Sequence, residues 1–192
     1  VTKRSLSKEQ SDELLQKAID ENNRLEQMID NILNASRLEN NALQPVVENF
    51  DVTLLFRQIQ QRFQAISGIS NIELEVEEGM TMDADRTMVE SIVSNLVDNA
   101  LKYAGREEKI IIYATKKQSK SVFGVKDLGP GISKNQKTEI FQKFYRVQNE
   151  ETRSQKGTGL GLYIVAQLVH IQNGAIQCLD NAPKGTDFQI TL

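Results

Sequence analysis

The feature that most constrains this chain of 192 residues is what positions 8–39 lack, because neither Gly nor Pro interrupts them. Apolar or small residues recur there at Leu15, Ala18, Leu25, Ile29, Ile32 and Ser36, with Asn22 in the same row. The alternating steps of three and four are those of a heptad seam. Leu14, Ile19, Met28 and Leu33 widen the seam beyond a two-residue stripe, as in a helix packed against two or three others. An amide buried at Asn22 would fix register at some cost in stability. At 1.5 Å per residue the helix runs to about 45 Å, longer than a domain of this size is wide. The expectation is therefore a helix of a bundle or dimer; the alternative is an amphipathic helix lying on its own domain.

"NNALQPVVENFD" ends the pattern with Asn, Pro and the cap candidate Asp51, and places a domain boundary between 44 and 45. Beyond it a helix is expected at about 52–65. "IELEV" at 72–76 alternates like a half-buried strand, and "DADRTMVESIVSNLVDNALKYA" reads as a long helix capped near Asp83 or Asp85. "KIIIYATKK" and "KSVFGVKDLG" read as strands joined near Gln118 and Ser119. "GLGLYIVAQLVHIQ" reads as a helix, and "GAIQCLDN" and "GTDFQITL" as strands around an "APKG" turn. This mixture predicts an α+β two-layer sandwich with helices on one face of a mixed, mostly antiparallel sheet.

Composition excludes several classes. A net charge of −3 gives no basic face for nucleic acid. One cysteine, Cys178, rules out an internal disulfide framework and a cysteine-rich zinc site, favours a reducing compartment, and reads as a small buried hydrophobe in a strand. No run approaches the roughly 18 apolar residues that span a bilayer, and no secretory signal opens the sequence. The chain begins at Val1 and is read as a soluble, cytoplasmic piece of a larger protein.

Three clusters are candidates for chemistry. Asn95, Asn99, Lys102 and Tyr103 fall at i, i+4, i+7 and i+8, on one helical face. Amide oxygens there suit a Mg²⁺ that already carries phosphate, and the lysine can meet a phosphate; a solvated polar face is the plainer alternative. Asp127 ends a strand, followed by Gly129 and Gly131. Its carboxylate can accept from an exocyclic amine while the glycines admit a planar ring, although a tight turn explains GPG as well. "GTGLGL" at 157–162 opens a helix and offers unblocked N–H groups to an anion; it is neither a Walker A loop nor a Rossmann fingerprint. A nucleotide with its base at the first glycine cluster and its phosphates at the second fits both. The polar connection between them, rich in Lys and Arg, reads as a lid over about 131–157, anchored through Phe141, Phe144 and Tyr145. His170 has no carboxylate near it in sequence and reads as structural, and no triad can be assembled around it.

In fixed order, "NLVDNALKY", "DLGPGI", "IFQKFYR" and "GTGLGL" resemble the N box, first glycine box, F box and second glycine box of the ATP-binding domain of bacterial sensor histidine kinases. "GTDFQITL" resembles that family's closing strand. "ENNRLEQMIDNILNASRLENNAL" resembles the second helix of its dimerisation and phosphotransfer hairpin. The resemblance implies a Bergerat-type fold at 45–192 and a partial dimerisation helix at 1–44. It implies Mg²⁺ at Asn95 and Asn99, a phosphate at Lys102, and Tyr103 covering adenine. Asp127 would read the adenine amine in a pocket shaped by Gly129, Gly131, Ile132 and Thr186. Gly157, Thr158, Gly159, Leu160 and Gly161 would cradle phosphates, with Arg146 and Lys156 as lid cations. Asn95, Asn99 and Lys102 would be the catalytic group. Hydrolysing relatives such as gyrase carry a water-activating glutamate four positions before the metal-binding asparagine; here that position is Asn95.

The family's phosphoacceptor histidine sits on the first hairpin helix, and His170 does not match it. The implied activity is transfer of the γ-phosphoryl of Mg-ATP to a histidine outside this sequence, for relay to a response-regulator aspartate, by a protein that dimerises at full length. Autophosphorylation by this chain alone is not expected. The alternatives are an anti-sigma-type serine kinase, which lacks a long heptad helix, and a non-enzymatic nucleotide-binding module.

Overall fold

A computed structural model of the chain describes residues 7–39, 43–68, 71–105, 107–147 and 157–192. Helix α1 spans Lys8–Glu39, the bounds read from the heptads. Its seam is bare: Leu15 is 62% exposed, and Leu25, Ile29 and Ile32 are each 56% exposed. Asn22 is exposed as well and donates to Glu26 Oε1 at 3.3 Å. At the far end the helix meets the body: Leu38 is buried, and α1 packs on α4 (Gly161–Ile171). No helix among the described residues is long and apolar enough to cross a membrane.

The body begins with two short strands that sequence reading missed, β1 (Glu48–Asp51) and β3 (Thr81–Ala84), paired antiparallel. Each has only four residues, too few to show alternation, and they hold because Phe50 and Met82 enter the core. Helix α2 (Val52–Ser67) is capped by Asp51, which accepts from Leu54 N at 2.8 Å, and ends at Gly68 with φ 66°. Of the two caps considered for α3 (Arg86–Tyr103), the structure selects Asp85, which accepts from Met88 N at 3.0 Å; Asp83 lies in β3 and accepts from Asn49.

Strands β2 (Ile72–Val76), β4 (Ile110–Lys117), β5 (Lys120–Lys126), β6 (Ala175–Asp180) and β7 (Thr186–Thr191) form one sheet in the order β2-β4-β5-β7-β6. Among the described residues only the β2–β4 pair of this sheet is parallel. The helices cover one face. Ile110, Ile112, Phe123, Val125 and Ile190 point into a core shared with Phe56, Ile59, Ile92, Leu96, Ile164 and Val165, all nearly inaccessible to solvent. Truncating a residue such as Phe56 to Ala costs about 3–5 kcal/mol at a site of this kind. This is the α+β sandwich read from the sequence. Its geometry sets the C-terminal end of α3, the end of β5 and the start of α4 side by side.

Candidate functional site

Those three ends enclose one continuous cleft. Its apolar part is lined by Asn99, Tyr103, Asp127, Pro130, Gly131, Ile132, Ile140, Tyr145, Arg146, Val147, Leu162, Thr186 and Phe188. Its polar part is lined by Asn95, Asp98, Asn99, Lys102 and Tyr103 of α3 and by Gly157, Thr158, Gly159, Gly161 and Leu162. Asn99, Tyr103, Ile140, Tyr145 and Leu162 border both.

At the apolar end Asp127 is buried, and its Oδ1 accepts from Gly129 N at 2.8 Å and from Thr186 N at 3.2 Å. Both bonds fall on one oxygen, so Oδ2 is the atom left for a ligand. Burial raises the Asp127 pKa, the two backbone N–H groups oppose that rise, and nearby Asp187 adds to it. Gly129 sits behind the carboxylate: a Cβ there would come within 3.0 Å of the Ala104 backbone. Gly131 has φ 77°, a conformation that disfavours other residues.

At the polar end Asn95 Nδ2 donates to Ser91 O at 2.8 Å, which leaves its Oδ1 as an acceptor. A Cβ on Gly161 would lie 3.2 Å from that Oδ1, so the bare backbone lets the start of α4 close on the asparagine. Asn99 Nδ2 is buried with no hydrogen-bond partner among the described residues, an arrangement costly unless something in the cleft satisfies it. Lys102 forms an ion pair with Asp98, a partner that sequence reading missed although the i, i+4 spacing signals it. Among the described residues no group of three His, Cys, Asp or Glu could hold a metal. A divalent cation here would rest on amide oxygens and on the anion that brings it, and the two asparagines fit that role.

The second glycine cluster meets Phe144 of the expected lid. Phe144 N donates to Gly159 O at 3.0 Å, and with φ 71° a Cβ on Gly159 would come within 2.7 Å of Phe144 C. The side chain of Leu160 is in the core, so only its backbone faces the start of α4, where the first N–H groups have no intrahelical partner. Lys156 and residues 148–156 of the expected lid lie outside the described residues. Of the lid anchors, Phe141 and Tyr145 pack on the core. Phe144 does not: it is 69% exposed, and its backbone takes a positive φ of 61°. Ile140, 5% exposed, takes the anchoring place. His170 is exposed at the end of α4, away from the cleft lining. Cys178 is buried in β6, and burial pushes its thiol up to about 11.

Comparison with known proteins agrees with this geometry. The family described as histidine kinase-, DNA gyrase B- and HSP90-like ATPase matches residues 84–192, from β3 to the end. The sensor protein SrrB of Staphylococcus aureus is 29% identical over 186 residues, covering 94% of this chain and 31% of SrrB; the chain thus spans about a third of the curated relatives it matches. A solved structure of full-length ShkA in complex with AMPPNP superposes with a TM-score of 0.78 at 25% identity, over 97% of this chain and 39% of that one. Histidine kinase ThkA, solved with the response regulator protein TrrA, has the same fold, with a TM-score of 0.73 at 24% identity over 99% of this chain and 53% of that one. A family match over more than half the sequence and an overall fold shared with solved histidine kinases lead to one conclusion: the chain belongs to the histidine kinase-, gyrase B- and HSP90-like ATPase family, as an ATP-binding catalytic domain of the bacterial sensor histidine kinase kind.

Proposed function

We propose that the cleft holds Mg-ATP, with adenine against Asp127 and the phosphates over the start of α4. We propose further that the chain is the catalytic part of a sensor kinase that phosphorylates a histidine outside this sequence. The observation that carries the reading is the continuity of the cleft: a buried carboxylate at an apolar end and two amides beside a helix N-terminus at a polar end, joined through Asn99 and Tyr103. Gly131, Ile132 and Thr186 would bound the base, and Tyr103 would lie over it. Gly157, Thr158, Gly159 and Gly161 would admit the phosphates to backbone N–H groups and the positive end of the α4 dipole. Asn95 and Asn99 would hold Mg²⁺, which when bound supplies charge neutralisation to the phosphates.

Phosphoryl transfer asks a protein mainly for positioning and electrostatic stabilisation. Lys102 would exchange Asp98 for a phosphate oxygen as the nucleotide enters, and Arg146, at the cleft edge, would add charge from the lid. Asn95 cannot take a proton from water, which favours transfer to a protein side chain over hydrolysis. Residues 1–44 would form the second helix of a dimerisation hairpin, the bare faces of Leu14, Leu15, Leu25 and Ile29 being covered by the rest of a four-helix bundle in a homodimer. A response-regulator receiver domain would take the phosphoryl group onward, as the sensor relatives and the ThkA–TrrA pair suggest by analogy.

The test is transfer from labelled Mg-ATP to a dimerisation hairpin bearing the acceptor histidine, supplied in trans. The reading expects label that is acid-labile and lost when the acceptor histidine is changed to Gln. Phosphoserine would instead favour the serine-kinase alternative, and tight nucleotide binding without label would favour a binding module.

A further inference from the structure

The open face of the sheet, opposite the helices, carries a buried polar group that the proposed chemistry does not use. Tyr113, Gly124 and Gln189 stand in one row across β4, β5 and β7, and Lys126 and Asp187 stand in the next. Tyr113 and Asp187 are 7% and 9% exposed, although they sit on the face that the helices leave uncovered. The Tyr113 hydroxyl reaches across β5 to donate to Asp187 Oδ1 at 2.8 Å, and accepts from Gln189 Nε2 at 3.3 Å. Lys126 Nζ caps the tyrosine ring 4.6 Å from its centroid. The crossing depends on Gly124: a Cβ there would lie 2.9 Å from the hydroxyl and 2.0 Å from Phe188 O.

Asp187 follows directly on Thr186, and that strand end is what holds Asp127. Asp127 N donates to Thr186 O at 2.9 Å, and Thr186 N returns a bond to Asp127 Oδ1 at 3.2 Å. A side chain that fixes Asp187 therefore fixes the N–H group that orients the carboxylate. We propose that Tyr113 and Asp187 are positioning residues for the nucleotide-reading carboxylate, acting through the β5–β7 ladder from the opposite face of the sheet. The proposal rests on the nucleotide reading of the cleft and adds a determinant of its affinity.

Charge travels the same route. Asp187 is faced by Tyr113 and Lys117 of β4 and Lys126 of β5, while the Cys178 thiol of β6 feels both aspartates. Its carboxylate in turn raises the Asp127 pKa, behind the larger effect of burial. Removing that charge makes Asp127 ionise more readily.

The experiment is calorimetric titration of the whole chain with a non-hydrolysable ATP analogue, for wild type, Tyr113→Phe, Asp187→Ala and Asp187→Asn, repeated across pH, with thermal unfolding as a check on folding. Tyr113→Phe and Asp187→Ala should each weaken binding about threefold to tenfold, the scale of one hydrogen bond. Asp187→Asn keeps an acceptor for the tyrosine and should recover most of that loss. In both Asp187 variants the acid limb of binding should move to lower pH, a shift that a merely structural role would not produce. Variants that match wild type, or that all weaken equally with an unmoved acid limb, would overturn the inference alone. A wild-type chain that does not bind overturns the nucleotide reading and this inference with it.

Discussion

The two ends of the cleft are built on different terms. At the proposed base end Asp127 is fixed before any ligand arrives: it is buried, it is bonded to two backbone N–H groups, and it follows directly on β5, the strand in the middle of the sheet. At the proposed phosphate end the polar groups are occupied provisionally. Lys102 is held by Asp98 and Asn95 by its own helix, and Asn99 Nδ2 has no partner among the described residues. The lesson is that rigidity is placed where shape is read, and exchangeable partners where charge must be accommodated. Substitutions at the base end should thus lower affinity whether or not metal is present; those at the phosphate end should depend on Mg²⁺ and on salt.

The largest effect is expected at Asp127. Asp127→Asn presents an amide in place of a charged acceptor and should weaken binding of an ATP analogue about tenfold to a hundredfold, the scale of a charge-assisted hydrogen bond, equally with and without Mg²⁺ in calorimetry. Next comes Asn99→Ala, with a loss on the order of tenfold in the presence of Mg²⁺ and little without it. Because the change also deletes an unpartnered buried amide nitrogen, thermal unfolding should show no loss of stability. Equal losses with and without metal would break the division between the two ends.

A smaller change of opposite sign is predicted at Asp98. Asp98→Asn releases the Lys102 ammonium and should tighten nucleotide binding about twofold to fivefold at low salt, with the gain fading as ionic strength rises. The smallest effect near neutrality is that of pH. On the proposed reading Asp127 accepts from adenine most strongly as a carboxylate, and its pKa is raised chiefly by burial. Binding should therefore hold near pH 7 and decline as pH falls through that raised value, above the roughly 3.9 of an ordinary aspartate. Titrations that follow an unperturbed carboxylate would contradict the burial argument.

Most of what positions the cleft could be read from sequence, since it is local. The heptads delimit α1, the alternation of "IELEV" coincides with β2, and each glycine cluster stands where backbone approaches backbone. The elements missed depend on distant partners. β1 and β3 are too short to carry a period and exist through pairing with each other. Ile140 and not Phe144 enters the core, and the positive φ at 144 is a backbone feature that no hydrophobicity pattern encodes. The Tyr113–Asp187 bond joins residues 74 positions apart and needs the registers of three strands to be known. In the candidate site, Asn95, Asn99, Lys102, Tyr103, Asp127 and the two glycine clusters were legible by type and spacing, whereas the ion-pair partner Asp98 was not. The apolar lining of Leu162 and Phe188 was not, because such residues look like ordinary core.

The most direct test of the central claim is calorimetric titration of this chain with a non-hydrolysable ATP analogue, with and without Mg²⁺, beside Asp127→Asn. The account predicts saturable binding that Mg²⁺ strengthens and that the substitution abolishes or weakens at least tenfold. Absence of binding by the wild-type chain, or binding indifferent to Asp127, would contradict it.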